Sequence, residues 1–134
     1  SLLDAGVPEI MLSNRTRVRA DRLKSVFGNR VTVYDWVQAG NMLDHAALVV
    51  NTTSLGMIGK PELRVPLDGL SPDTVVTDLV YAPLKTKLLE TAEELGCVTV
   101  DGLGMLLHQA VPGFERWFGT RPEVDRAART AALL

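Results

Sequence analysis

The chain is short of several features that would assign it a class outright. It has one cysteine, Cys97, so an internal disulfide is excluded, and with it the disulfide-stapled secreted folds. Cys97 lies in an apolar run and reads as an inert core residue. No apolar stretch approaches the roughly 20 residues needed to span a bilayer, and no basic-then-apolar leader precedes a small-residue cleavage site. Charge of one sign is not in excess: 14 Lys and Arg stand against 16 Asp and Glu, a net charge of −2. That balance speaks against wholesale nucleic-acid binding. Repeats and low-complexity segments are absent as well. Together these absences predict a cytoplasmic protein with no membrane or nucleic-acid partner. No metal site is read, and a homodimer is compatible with the sequence.

What is present is the composition of a globular domain: 46% hydrophobic and 22% charged residues in a chain of 134, enough for one domain with a real core. "SLLDAGVPE" at the start reads as the last turn of a helix, closed by Gly6 and stopped by Pro8, and is expected to be the tail of something longer. After Pro8, "EIMLS" is a short apolar strand. Thr16 can cap a following helix, "RVRADRLKSVFG", with Val18, Leu23, Val26 and Phe27 on one stripe and Gly28 as its stop. "RVTVYDW" alternates as a strand does. "VQAGNMLDHA" is predicted helical and "ALVVNTT" a buried, β-branched strand.

The stretch from Gly56 to Pro72 holds three prolines and three glycines without periodicity and reads as a long loop, a kind of segment that often carries function. "TVVTDLVY" is the next strand. "LKTKLLETAEELG" is an amphipathic helix with Gly96 as its C′ residue, and "CVTVDG" the last strand. "GMLLHQAVPGFERWFG" is an apolar helix in which Pro112-Gly113 is expected to introduce a bend. A final short helix follows Pro122.

Strands that alternate with helices, each short and almost wholly apolar, imply parallel strands covered on both faces. The predicted fold is α/β, a doubly wound, mostly parallel sheet. Ligands bind such sheets outside the carboxyl ends of the strands. That rule selects four places: Asn14-Arg15-Thr16, Asn51-Thr52-Thr53, Asp78 to Tyr81, and Asp101-Gly102.

The first of these carries the sharpest chemistry. In a dinucleotide-binding fold the end of the second strand faces the adenosine ribose. A carboxylate there selects NAD, whereas an arginine accommodates the extra phosphate of NADP. Here Asn14-Arg15 occupy the position, and no carboxylate follows until Asp21. Arg15 can present a planar fork of donors, and Arg19, one turn on, lies on the same helical side. Thr16 adds a hydroxyl and, at a helix start, backbone N–H groups that can face an anion. Arg17 should point elsewhere. The alternative is a solvated basic helix with no ligand.

The other places are less specific. "NTTSLGM" offers small polar residues that let a ligand approach the backbone, but a self-capped turn would look the same. Tyr81 could hold a substrate hydroxyl or carboxylate, or pack on a neighbouring helix. Met105 and Gln109 share one face of an apolar helix, where an amide is costly unless it finds partners. His108 faces another side and reads as structural. His45 reads as a surface residue without an evident partner.

In this order "NRTRVRA" (14–20), "NTTSLGM" (51–57), "DLVYAPLKTKLL" (78–89) and "DGLGMLLHQAVPGFERWFG" (101–119) resemble the cofactor-binding half of the shikimate dehydrogenase family. The resemblance covers nearly the whole chain. It implies a Rossmann-like NADP-binding domain, of which residues 1–134 are the C-terminal part and 104–132 the terminal helices. It implies that Asn14, Arg15, Thr16 and Arg19 hold the adenosine 2′-phosphate. Thr52 and Thr53 would line the cofactor cleft, Leu79 and Gly102 would contact the nicotinamide end, and Met105 would pack beside the ring. Tyr81 and Gln109 would touch shikimate. The implied reaction is reversible hydride transfer between NADPH and 3-dehydroshikimate.

The first strand with its Gly-rich turn, and the substrate domain with the Lys and Asp that handle the proton, have no counterpart in this sequence. The expected sheet therefore lacks its centre. No catalytic residue is assigned within the segment, Lys85 and Lys87 included, and alone it is expected to be inactive. Quinate/shikimate dehydrogenase relatives and a non-catalytic NADP-binding module are the competing readings. Tyr81 and Gln109, which would serve substrate rather than cofactor, favour an enzyme.

Overall fold

The structure, a computed structural model, describes residues 1–133. It comprises two compact units, 1–46 with 65–71, and 47–64 with 72 onward.

In the first unit, strand β1 (Ile10–Ser13) is followed by helix α1 (Arg17–Phe27) and strand β2 (Val31–Tyr34). The two strands pair in parallel, Ile10 opposite Val31 and Ser13 opposite Tyr34; α1 is the crossover that parallel pairing requires. Gly28, at φ +67°, ends the helix where the sequence places its stop. The opening residues form the predicted closing turn, with Ala5 N–H donating to the Ser1 carbonyl at 2.9 Å and Gly6 at φ +95°. Arg30 ties this turn down by donating to the carbonyls of Leu3 and Val7.

Two predictions fail in this unit. The helix expected over 37–46 is instead a 3₁₀ segment, Trp36–Met42. Gly40 and Asn41 are weak helix formers, and Gly40 sits so close to Pro66 that a Cβ would lie 3.2 Å from it. The apolar stripe of α1 is also not buried: Val18, Leu23, Val26 and Phe27 are all exposed, and Ala20 is the helix's one buried residue. Two four-residue strands offer too little surface to cover an 11-residue helix. The core here is Ala20, Val31, Ala39, Leu43 and Leu70.

The second unit holds a three-stranded parallel sheet of β3 (Leu48–Asn51), β4 (Val75–Asp78) and β5 (Val98–Val100), in that order. Leu48 stands opposite Val75 and Asn51 opposite Asp78, while Val75 stands opposite Val98. The hydrogen bonds form two parallel sheets, β1–β2 in the first unit and β3–β4–β5 in the second. Central β4 is the best-covered strand, with Val76 at 0% exposure; edge strand β5 leaves Val98 and Val100 open, against the expectation that every strand is covered on both faces.

Helix α2 (Lys87–Glu94) crosses between β4 and β5. It begins at Thr86, whose hydroxyl accepts from the Leu89 N–H, so the first residues of the predicted helix stay extended. At its other end Gly96 (φ +86°) donates to the Glu93 carbonyl and Cys97 to that of Ala92, a complete Schellman closure. Leu88, Leu89, Ala92 and Cys97 enter the core with Val76, Val80, Leu103 and Val111. Helix α3 (Leu103–Phe118) continues without interruption through Pro112, and α4 (Arg126–Ala131) starts on the Asp125 side chain.

The contrast between the two crossover helices is measurable by urea denaturation. Leu89→Ala, at a site 2% exposed, should cost about 3 kcal/mol, whereas Leu23→Ala on open α1 should cost less than about 1 kcal/mol.

Candidate functional site

The ends of β3 and β4 are joined by a network of buried polar groups. Asp78 has no exposed surface. Its Oδ1 accepts from Asn51 Nδ2 at 3.0 Å and from the Val80 backbone N–H at 3.0 Å. Its Oδ2 accepts from the Thr86 hydroxyl at 2.6 Å. Asn51 also donates to the Leu55 carbonyl at 3.2 Å, and its Oδ1 accepts from the Thr53 backbone N–H at 3.0 Å and hydroxyl at 2.8 Å. A carboxylate is tolerated away from water only when its oxygens are bonded. Each partner here belongs to a different segment: the end of β3, the chain just past β4, and the start of α2.

These bonds set the walls of a cleft of about 260 Å³ whose lining includes Thr52, Thr53, Met57, Leu79 and Tyr81. Four residues singled out in the sequence are therefore brought together: Thr52, Thr53, Leu79 and Tyr81. Tyr81 is half-exposed in this cleft. Gly102 joins through the backbone. A Cβ on it would lie 2.5 Å from the Leu79 carbonyl oxygen and 2.7 Å from that of Val80, so only glycine lets the β5–α3 turn approach the end of β4.

Met105 and Gln109, on α3, are not among the residues lining the cleft. Gln109 is exposed and its side chain makes no hydrogen bond among the described residues, so the cost of burying an amide does not account for it. His108, read as structural, is likewise exposed. His45 does have a neighbour, Asp44, whose carboxylate lies 3.6 Å from its Nε2.

In the first unit the arginine cluster divides. Arg17 is paired with Asp35 and lies 3.7 Å from Asp21; its hydrogen bond to Asp35 raises its pKa further. Arg15 and Arg19 are exposed, and their guanidinium groups have no ion-pair or hydrogen-bond partner among the described residues. Asn14 is a turn-former: its Oδ1 accepts from the Thr16 N–H at 2.8 Å. Thr16 therefore offers an anion one donor fewer than expected, and its hydroxyl makes no capping bond and remains available.

Sequence reasoning missed two sets of partners. Asn51, Asp78 and Thr86 form a network across 27- and 8-residue separations; only the polar ends of two apolar strands hinted at it. Asp101 accepts from the Leu103 N–H at 3.1 Å and is bound by Arg129 of α4. Nothing local in the sequence connects residues 28 apart. Among the described residues no group of His, Cys, Asp and Glu could hold a metal ion, and no helix is long and apolar enough to cross a membrane.

Parallel βαβ connectivity, a glycine at a strand-to-helix turn and a cleft at the carboxyl ends of the strands define a Rossmann-like α/β protein. Comparison with known proteins shows what the chain is similar to. Residues 102–131 match the family described as the Shikimate 5′-dehydrogenase C-terminal domain. The chain is 71% identical to Shikimate dehydrogenase (NADP(+)) of Cereibacter sphaeroides over 99% of its own length, and 70% identical to that of Roseobacter denitrificans. It spans 48% of the length of each of these curated relatives.

Among solved structures, quinate dehydrogenase from Corynebacterium glutamicum in complex with NAD is similar at a TM-score of 0.86 and 34% identity, covering 99% of this chain and 49% of that one. Shikimate 5-dehydrogenase from Thermus thermophilus in complex with NADP(H) and shikimate is similar at 0.74 and 32%, covering 91% of this chain and 44% of that one. The resemblance read from the four strand-end motifs thus holds along almost the whole chain.

Two measurements check this geometry. Gly102→Ala should cost about 2 kcal/mol, because the methyl group meets backbone that cannot move aside; unchanged urea stability would remove the close approach. The second concerns Glu93, which accepts from Lys85 and, at 2.8 Å, from the Thr99 hydroxyl. These bonds, Lys85 first, lower the Glu93 pKa below its usual 4.5. The native state then binds that proton less readily than the unfolded chain does. The stabilisation is complete above pH 4.5 and is lost as pH falls through the lowered native value. Glu93→Gln should accordingly destabilise the protein at pH 7 and make little difference at pH 2, as read by thermal unfolding at both.

Proposed function

We propose that the chain is the NADP-binding part of an oxidoreductase that reversibly reduces 3-dehydroshikimate to shikimate with NADPH. The observation that carries the cofactor assignment is the division of the arginine cluster. Arg17 is neutralised by Asp35, while Arg15 and Arg19 on either side have no carboxylate of their own. Uncommitted guanidinium groups beside an Asn14 turn fit a ribose 2′-phosphate, and no carboxylate stands there to favour NAD.

In the second unit the small side chains of Thr52 and Thr53 would border the cofactor. Leu79 and the bare backbone of Gly102 would flank its nicotinamide end, with Met105 beside the ring. The cofactor would supply the hydride. Tyr81, which lines the cleft, and Gln109, with an exposed amide, would hold the substrate's polar groups. Neither lysine of the α2 region supports a role in proton transfer: Lys85 is bound to Glu93 and Lys87 lies 3.3 Å from Glu90. The proton-handling residues are therefore assigned to the half of the relatives' length that this chain does not span. The same reading places the enzyme in the cytoplasm, with a homodimer as the assembly to test by sedimentation.

A second reading, a quinate-using relative, is favoured by the likeness to the Corynebacterium glutamicum quinate dehydrogenase. The Asn14-Arg15 pair speaks against its NAD-dependent form.

The test is a chimera that joins this chain to the part of the Cereibacter sphaeroides relative it does not cover. Shikimate should support NADP+ reduction and quinate should not. Arg15→Ala should raise the KM for NADP+ by about 10- to 100-fold, the loss of one or more charge-assisted hydrogen bonds, and leave NAD+ use little changed. An equal loss for both cofactors would refute the phosphate clamp.

A further inference from the structure

We infer that Arg129 is a positioning residue for the nicotinamide end of the cofactor cleft, acting through Asp101 on the turn that opens α3. The inference rests on the proposed cofactor reading.

The turn is held from three directions. Gly102 is pressed against the carbonyls of Leu79 and Val80, with no room for a Cβ. On one side of it, Asp101 Oδ1 accepts from the Leu103 N–H, one of the N-terminal donors that a helix leaves without an internal partner. On the other, Asp101 Oδ2 is bound by the Arg129 guanidinium from α4. The two carboxylate oxygens are thus divided between helix start and arginine, and neither bond can be made well without orienting the other.

Arg129 is itself fixed. Its backbone N–H donates to the Asp125 carbonyl at 3.1 Å, and the Asp125 side chain caps the first turn of α4 by accepting from Ala128 at 2.8 Å. Its hydrogen bond to Asp101 raises its pKa, although an arginine is charged throughout the neutral range in any case. The pair is also better shielded than the surface ion pairs, at 37% and 24% side-chain exposure against about half for Arg17 and Asp35, where pairing is worth more.

Without Arg129, the Asp101 carboxylate is free to turn toward water and release Leu103. The first turn of α3, which carries Met105, then loosens against Leu79. Arg129 would in this way govern one end of the cofactor from a helix that contributes no residue to the cleft lining.

The experiment uses the full 134-residue chain and two ligands, NADP+ and adenosine 2′,5′-bisphosphate, which has the phosphate-bearing end but no nicotinamide. Affinities come from calorimetric titration, and the motion of the turn from amide hydrogen exchange at residues 103–105 in the absence of ligand. Arg129→Gln should weaken NADP+ about fivefold, equivalent to about 1 kcal/mol, leave the bisphosphate unchanged, and speed exchange at 103–105. Arg129→Lys should recover part of both effects. Asp101→Asn, which keeps an acceptor for Leu103 but loses the charge, should also weaken NADP+ selectively.

Equal weakening of both ligands, no weakening of either, or unaltered exchange at 103–105 overturns the inference. If the unmodified chain binds neither ligand, the cofactor reading fails and takes the nicotinamide role with it. The exchange measurement still separates that failure from one in which Arg129 does not hold the turn.

Discussion

The C-terminal unit is organised around a carboxylate that water does not reach. Asp78 ends the central strand with no exposed surface and satisfies both of its oxygens with donors from three segments. Removing one donor would leave a buried charge short of a partner, which is among the more costly defects a fold can carry. The consequence is geometric as much as energetic. The end of β3, the chain leaving β4 and the first turn of α2 must converge on one side chain, and the cleft is the space left between two of those segments. The small residues after Asn51 and the backbone after Asp78 are therefore held by the same group, although neither segment is regular structure.

Much of this was legible because local rules act over short distances. The Schellman closure at Gly96 and the stop at Gly28 depend on residues within one or two turns, and their sequence signals are correspondingly plain; the cap at Thr86 is equally local, yet the expected helix began two residues ahead of it. Asn14 and Arg15 could be assigned to a strand end for the same reason. The apolar pattern of α1 was misleading in an instructive way. Its period predicts a helix and is right, but it does not say how much sheet exists to cover the stripe, and a two-stranded sheet leaves Val26 75% exposed. The 3₁₀ segment at Trp36–Met42 escaped because its shape depends on Pro66, more than twenty residues away. The Asp101–Arg129 and Asn51–Asp78 pairs escaped because side-chain hydrogen bonds across long separations leave no periodic trace.

Exposure alone does not distinguish the arginines of the first unit; bonding does. Arg15, Arg17 and Arg19 are all on the surface, and composition treats them alike. Asp35 sorts them by binding the middle one. Gly102 shows the converse case, in which a residue that the family resemblance assigns to cofactor has a sufficient packing reason of its own. A glycine at such a turn can satisfy both demands at once, since the missing side chain that lets the turn close also leaves backbone open to a ligand.

The Asn14 turn has a further implication for the kind of recognition open to the first unit. By accepting the Thr16 N–H, Asn14 uses a backbone donor that would otherwise help to cradle an anion. What remains is the Thr16 hydroxyl and charge on two long side chains in open solvent. Attraction of that kind reaches outward, tolerates variation in the position of the bound group, and fades over the roughly 8 Å screening distance of physiological salt. Under the proposed cofactor reading, discrimination at this end would combine the guanidinium hydrogen bonds with this longer-range field, and ionic strength would set the share of the latter.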